Sequence, residues 1–357
     1  MPDIVSIKID NVEVRAPAGA NLLQVARDNG FDIPGLCYHP KVSVTGACRL
    51  CIVKIAGRPG MVPACTVQAT DGLVVTAFDE ELESMRRMLI DLLLSEHNCD
   101  CMTCESAGNC ELQDLAYRYS LDNRSRKFAA RERVLPEPDT SSPVLAYDPS
   151  KCIVCARCIK GCEEVQGKGV LSFANRGLET IVTAGLGEWA TSECDGCGEC
   201  VQLCPTGAII EKLPELPPRS WEVEKIQTTC SYCGVGCQLE MWVKDNKVIK
   251  VRGAEAVPNY GSTCIKGRFG HTYIDKFDRL TTPLIRRNGK LEPATWDEAL
   301  SLVKENLLKI KQEHGPDAIA GLASANCTNE ENYLFQKFMR ASVGTNNVDH
   351  CARLCHA

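Results

Sequence analysis

KCIVCARCIKGC (151–162) and CDGCGECVQLCP (194–205) decide how this chain is read. Each places its cysteines as C-x2-C-x2-C-x3-C: Cys152, Cys155, Cys158 and Cys162, then Cys194, Cys197, Cys200 and Cys204, the last followed by Pro205. A cubic [4Fe–4S] cluster needs thiolates converging from several directions, and a tight loop with two-residue gaps supplies three of them. Zinc needs only four ligands and has little use for a doubled run of eight. A disulfide framework is the other alternative. Glu163 rather than proline follows Cys162, a departure that bears on the local turn more than on ligation.

This doubled spacing is that of bacterial two-cluster ferredoxins, in which the fourth cysteine of each run crosses to the other cluster. The resemblance implies one cube on Cys152, Cys155, Cys158 and Cys204, and a second on Cys194, Cys197, Cys200 and Cys162. Residues 140–212 are the expected twin [4Fe–4S] ferredoxin domain. Strands are expected at 170–173 and 180–182, with linkers at 135–149 and 213–220.

Around this centre the chain has 357 residues, 44% hydrophobic and 24% charged, with a net charge of −6. An acidic balance, made more negative by anionic clusters, argues against nucleic acid. No run of about 18 apolar residues is present to span a membrane. The N-terminus alternates like a strand and lacks a basic segment followed by an apolar one, so the cytoplasm is the expected location. There 23 cysteines point to metal ligation rather than disulfides.

Residues 1–78 read as a small β-rich domain: strands at 4–9 and from Val12, joined by the Asp10-Asn11 turn, then a helix at 20–29 closed by Gly30. Cys37, Cys48, Cys51 and Cys65 follow, enough for a [2Fe–2S] rhomb with two thiolates per iron. Residues 79–97 open with acids and carry Leu82, Met85, Leu89, Leu92 and Leu93 at helical spacing. That helix delivers His97, which begins His97-x3-Cys101-x2-Cys104-x5-Cys110.

Both blocks resemble modules shared by the large iron–sulfur subunit of respiratory complex I, many [FeFe]-hydrogenases and NAD-linked formate dehydrogenases. The resemblance implies a β-grasp [2Fe–2S] ferredoxin-like domain at 1–78. It also implies a helical [4Fe–4S] domain at 79–119, ligated by His97, Cys101, Cys104 and Cys110. Cys99 is the alternative to His97. Residues 117–134, rich in arginine, read as a solvated linker.

In the last third, Cys230, Cys233, Cys237 and Cys264 form another set, with a hairpin around Asp245-Asn246 between the third and fourth. Lys266 follows two residues on. This block resembles the opening domain of molybdenum- or tungsten-bis(pyranopterin) oxidoreductases, which implies a [4Fe–4S] domain at 223–279 and a place for Lys266 between cube and pterin. The helix ending at Gly315, the strand-like 318–322 and the helix at 329–341 suggest the first βα unit of an α/β domain. The segment 328–357 is similar to formate dehydrogenase catalytic subunits. By that resemblance Cys355 ligates the metal and His356 orients substrate or accepts a proton, while Asn326 replaces a customary basic residue.

The expected fold class is therefore α+β multidomain, ending in the start of an α/β molybdopterin domain at 280–357. Its expected cofactors are one [2Fe–2S] and four [4Fe–4S] clusters. The family's full-length members add a Mo or W bis(pyranopterin guanine dinucleotide), which a chain stopping at 357 would not retain alone. The expected function is that of a formate dehydrogenase alpha subunit, as a fragment or truncated form, with formate as substrate. No G-x-G-x-x-G follows a strand, so a flavin- and NAD-binding diaphorase-type subunit, a hydrogenase or a ferredoxin is the expected electron acceptor. The alternative is a non-catalytic electron-transfer adaptor. The large complex I iron–sulfur protein is expected to differ by lacking the twin-ferredoxin insert, and the hydrogenases by their own cluster motifs.

Overall fold

Alternating apolar residues make β1 (Ile4–Ile9) and β2 (Val12–Pro17), paired antiparallel with Ile7 opposite Val14 and Ile9 opposite Val12. The computed structural model describes residues 3–122, 124–212, 218–276, 278–325 and 327–351. Asp10 and Asn11 take positive φ at the turn, residue types that tolerate it. Helix α1 (Leu22–Asp28) is capped by the Asn21 carboxamide, which accepts from the Leu23 and Gln24 N–H groups. Strands β3 (Ile52–Ile55), β4 (Met61–Pro63) and β5 (Val74–Thr76) complete a sheet of order β2-β1-β5-β3-β4, with β1 and β5 parallel. This is a β-grasp, and Ile7, Ile9, Leu22, Leu23, Val53 and Val75 fill its core.

Helix α2 (Glu80–Glu96) starts on Asp79, whose side chain accepts from the Leu82 N–H. Its buried face runs Leu82, Arg86, Ile90 and Leu94, rotated from the leucine stripe expected from sequence. Arg86 is wholly buried, donates to the carbonyls of Ile52 and Ala77 and pairs with Glu83. It thereby fastens α2 to the β-grasp sheet. Arg86→Met leaves two buried carbonyls unsatisfied and is expected to cost about 2–4 kcal/mol, read as a lowered temperature for the first thermal transition.

Helix α3 (Glu111–Arg118) follows the histidine-bearing loop. Residues 117–134 are not a solvated linker. Buried Asp91 accepts from Arg126 and from the backbone of Lys127 and Phe128, Arg118 pairs with Asp32, and Arg131 with Glu96. Arg133 donates to the carbonyls of Cys152, Leu178 and Thr180. The segment clasps three modules because four of its five arginines find acceptors remote in sequence.

In the twin module β6 (Leu145–Tyr147) pairs with β9 (Ile209–Glu211), and β7 (Leu171–Ala174) with β8 (Ile181–Ala184). The end of the expected linker at 135–149 is thus strand. Short helices α4 (Arg157–Lys160) and α5 (Glu199–Leu203) lie in the two cysteine runs. All of this belongs to one compact unit, Met1–Val223.

A second unit covers Glu224–Ala357. Its β10 (Glu224–Thr229), β11 (Gln238–Lys244) and β12 (Lys247–Gly253) form an antiparallel sheet, with the hairpin turn at Asp245-Asn246 as expected. After α6 (Ile265–Phe269) come the hairpin β13 (Leu284–Arg287) and β14 (Lys290–Pro293) and the helix α7 (Trp296–His314). A Thr295–Glu298 capping box opens α7 and Gly315 closes it. Then β15 (Gly321–Ala323), α8 (Asn329–Lys337) and β16 (Val348–His350) make a βαβ unit with parallel strands. No helix among the described residues is long and apolar enough to cross a membrane.

Candidate metal centres

The loop between α1 and β3 brings Cys37 and Cys48 beside Cys51, and a 3-10 turn at Ala64–Thr66 carries Cys65. Asn21 holds that turn through the Cys65 carbonyl at 2.6 Å, and the Leu36 N–H points at Cys48 Sγ at 3.4 Å. Thiol–thiol hydrogen bonds from Cys48 and Cys65 pull Cys37 down to about 2. Cys65 lowers Cys51 in the same way, while Cys48 and Cys65 are pushed up by their thiol partners and by burial. Four thiols crowded enough to share protons are a donor set ready to lose them to iron.

In the next module one cavity is lined by His97, Cys99, Cys101 and Cys110, with Arg126 on its wall. Cys104 acts electrostatically on both Cys101 and Cys110. Burial, then the Lys151 cation, brings His97 down to about 4, and its buried Nδ1 has no hydrogen-bond partner. A neutral imidazole with a spare nitrogen is a metal ligand's chemistry. Burial pushes Cys110 up to about 12. Cys99 reaches the same cavity but is exposed, and its Sγ lies 3.4 Å from the carbonyl of His97, two residues before it.

The twin module separates its eight cysteines across the two runs. One cavity is lined by Cys152, Cys155, Cys158 and Cys204, the other by Cys162, Cys194, Cys197 and Cys200. The first is walled by Tyr147, Val182 and Ile209, which exclude water, and burial raises Cys155 and Cys158. Both runs take positive φ at the same two places: Val154 and Ala156 in the first, Gly196 and Gly198 in the second. The repeat imposes a left-handed backbone that glycine adopts freely and valine only under strain.

In the second unit Cys230, Cys233 and Cys264 all act on Cys237, so the four converge. Tyr232, between the first two, donates to the Gly270 carbonyl at 2.5 Å and ties their loop to the end of α6. Cys264 is the N-cap of α6 and Lys266 stands exposed in its first turn. Asn259, which sequence reading passed over, accepts from the Gln238 N–H and donates to the carbonyls of Gln238 and Ser262. It links the neighbour of Cys237 to the approach of Cys264. Among the described residues no three His, Cys, Asp or Glu side chains have single-ion spacing. The two quartets of the twin module stand on cavity walls.

The βαβ unit places Ser324, Ala325 and Cys351 together at the carboxyl ends of β15 and β16, with the Ala325 N–H 3.4 Å from Cys351 Sγ. Ligands of α/β domains bind at this edge. Asn326, Cys355 and His356 lie outside the described residues.

Five families match consecutive parts of the chain. Residues 3–79 match the 2Fe-2S iron-sulfur cluster binding domain, and 86–125 the NADH-ubiquinone oxidoreductase-G iron-sulfur binding region. Residues 142–210 match the ferredoxin-like domain of NADH-quinone oxidoreductase subunit 3, 223–276 the molybdopterin oxidoreductase Fe4S4 domain and 279–357 molybdopterin oxidoreductase. The third match corrects one expectation: a twin-ferredoxin region does not set this chain apart from complex I proteins.

The NADPH-Fe(3+) oxidoreductase subunit alpha of Geobacter sulfurreducens is 37% identical over 352 residues, which are 98% of this chain and 40% of that protein. An NADH-quinone oxidoreductase subunit of Rhizobium meliloti is 36% identical with the same coverage. A putative formate dehydrogenase of Staphylococcus aureus is 28% identical over all of this chain and 40% of its own. The chain thus spans about two fifths of the length of these curated relatives. Among solved structures, a chain of an NAD+-reducing [NiFe]-hydrogenase matches with a TM-score of 0.54 and 30% identity, over 60% of this chain and 90% of that one. In this chain complex I-like iron–sulfur domains thus run into molybdopterin oxidoreductase domains.

Proposed function

We propose that this chain is the electron-relay part of a nicotinamide-linked oxidoreductase, holding one [2Fe–2S] and four [4Fe–4S] clusters. The observation that carries the reading is the sorting of cysteines remote in sequence into separate thiol-lined sites, including the crossed pair in the twin module. The ligands are Cys37, Cys48, Cys51 and Cys65; His97, Cys101, Cys104 and Cys110; the two crossed quartets; and Cys230, Cys233, Cys237 and Cys264. Bound clusters would take up and pass on single electrons. The protein's part is to hold them in fixed order, keep water from the buried ones and tune each by local charge and hydrogen bonds. A flavin- and nicotinamide-binding subunit is the partner at one end, in keeping with the names of the NADPH-Fe(3+), NADH-quinone and hydrogenase relatives.

The test is iron content of the anaerobically reconstituted chain. About 18 irons per chain are expected from that inventory; four or fewer would sink the relay. In the histidine module, His97→Ala is expected to lose about four irons and Cys99→Ser none. The reverse result would transfer the ligand role to Cys99.

A second reading, formate oxidation at a Mo or W bis-pterin centre, is favoured by the Cys355-His356 ending and by the relatives named putative formate dehydrogenases. Here Cys355 would ligate the metal, His356 would accept a proton and Lys266 would stand between pterin and cube. About one Mo or W per chain with formate-dependent reduction of the clusters supports it. Neither metal bound leaves the chain as an adaptor.

A further inference from the structure

Arg157 lies inside the first cysteine run, between Cys155 and Cys158, and its side chain is 3% exposed. Nη1 and Nη2 bind the Glu111 carboxylate at 2.5 and 3.0 Å, and Nη2 also donates to the Tyr38 carbonyl at 2.7 Å. Tyr38 is the residue after Cys37, and Glu111 the residue after Cys110. The Glu111 N–H in turn donates to the carbonyl of Pro205, the residue after Cys204, at 3.0 Å. One buried guanidinium, carried by the residue before Cys158, therefore touches residues adjoining the proposed ligands of two further clusters. A solvated arginine would screen its charge, but this one is enclosed and acts on its surroundings at low effective dielectric.

We propose that Arg157 is the positioning residue of a three-cluster junction, joining the [2Fe–2S] rhomb, the His97 cube and the Cys152/155/158/204 cube and holding up the potentials of all three. This rests on the relay reading above. Adding an electron to a cluster adds negative charge, which a buried cation nearby favours and a carboxylate opposes. Arg157 and Glu111 therefore act with opposite sign, and the pair sets the level at which the three clusters exchange electrons. The guanidinium also fixes the three ligand loops against each other, so its shape serves distance as its charge serves potential.

The test is an EPR-monitored redox titration of the reconstituted full chain and of Arg157→Gln, Arg157→Lys and Glu111→Gln. Arg157→Gln is expected to lower the midpoints of the three junction clusters, by about tenfold in reduced fraction or about 59 mV for a one-electron couple. Glu111→Gln is expected to raise them, and Arg157→Lys to stay near the native values. The Cys162/194/197/200 cube and the second unit's cube serve as unmoved references. Iron intact with unmoved midpoints in both neutral variants, or with both shifting the same way, overturns the junction alone. Should Arg157→Gln lose iron through misfolding, the upward shift of Glu111→Gln decides the matter. A native chain without iron overturns the relay reading and the junction with it.

Discussion

Replacing Cys162 with alanine is expected to remove the cluster of the cavity lined by Cys194, Cys197 and Cys200, leaving that of its own sequence neighbours in place. The structure brings Cys162 to the second run and Cys204 to the first, so each cavity draws its fourth thiol across the repeat. The crossing follows from the packing of α4 against α5. Gly161, just before Cys162, lies against Leu203, just before Cys204, and a side chain at 161 would overlap that leucine. With hydrogen at that position the two helical segments pack closely without displacing the leucine.

Pairs of substitutions give the decisive measurement. Each single alanine variant is expected to cost about four irons. Cys162→Ala with Cys197→Ala strikes one cluster twice and loses no more than either alone. Cys162→Ala with Cys155→Ala strikes two clusters and loses about eight. If each run held its own cube, the two pairs would exchange results. Iron and acid-labile sulfide on the purified chain, with EPR of the reduced form, distinguish the cases.

The two cysteine loops were legible in the sequence because ligand chemistry is local: two-residue gaps make a cube loop wherever they occur, whereas the crossing was an expectation taken from the resemblance to two-cluster ferredoxins. The acids of 79–83 marked the start of α2 for the same local reason, and Gly315 the end of α7. Buried charge was not legible. Arg157 meets Tyr38 across 119 positions and Glu111 across 46, and nothing in CARC distinguishes it from a surface arginine. Arg86 broke the apolar stripe of α2, so periodicity placed the buried face on the leucines instead. The arginines of 117–134 looked solvated because their acceptors, Asp91 and the carbonyls of 152, 178 and 180, lie in other modules. Strand β10 escaped because EKIQTT is largely exposed and carries no alternation, its stability coming from pairing with β11. At the carboxyl edge of the βαβ unit, the position of Cys351 was equally unreadable. It depends on β16 returning parallel beside β15.

The second large effect is expected at Gly253, which no cysteine motif contains. It closes β12 opposite Leu239, and a Cβ there would overlap the backbone of Gly261, including its carbonyl. Backbone cannot swing aside as a side chain can, so the loop from 254 to 263 must move as a body. That loop is anchored by the Gly261 N–H on the Ala254 carbonyl at 2.7 Å, and by Asn259 on both backbone groups of Gln238. Gln238 adjoins Cys237, and Cys264 ends the loop. Gly253→Ala therefore separates the fourth thiol of this quartet from the other three. The expected result is at least about a tenfold fall in occupancy of the second unit's cube, about four irons, with the other clusters at native levels. Asn259→Ala removes three hydrogen bonds worth about 1 kcal/mol each. It is expected to keep the cube while speeding its loss to a chelator. Gly234→Ala, in the open space of the Cys233 loop, is the control and keeps full iron. Native iron in Gly253→Ala would mean that Cys264 is placed by α6 rather than by the loop before it.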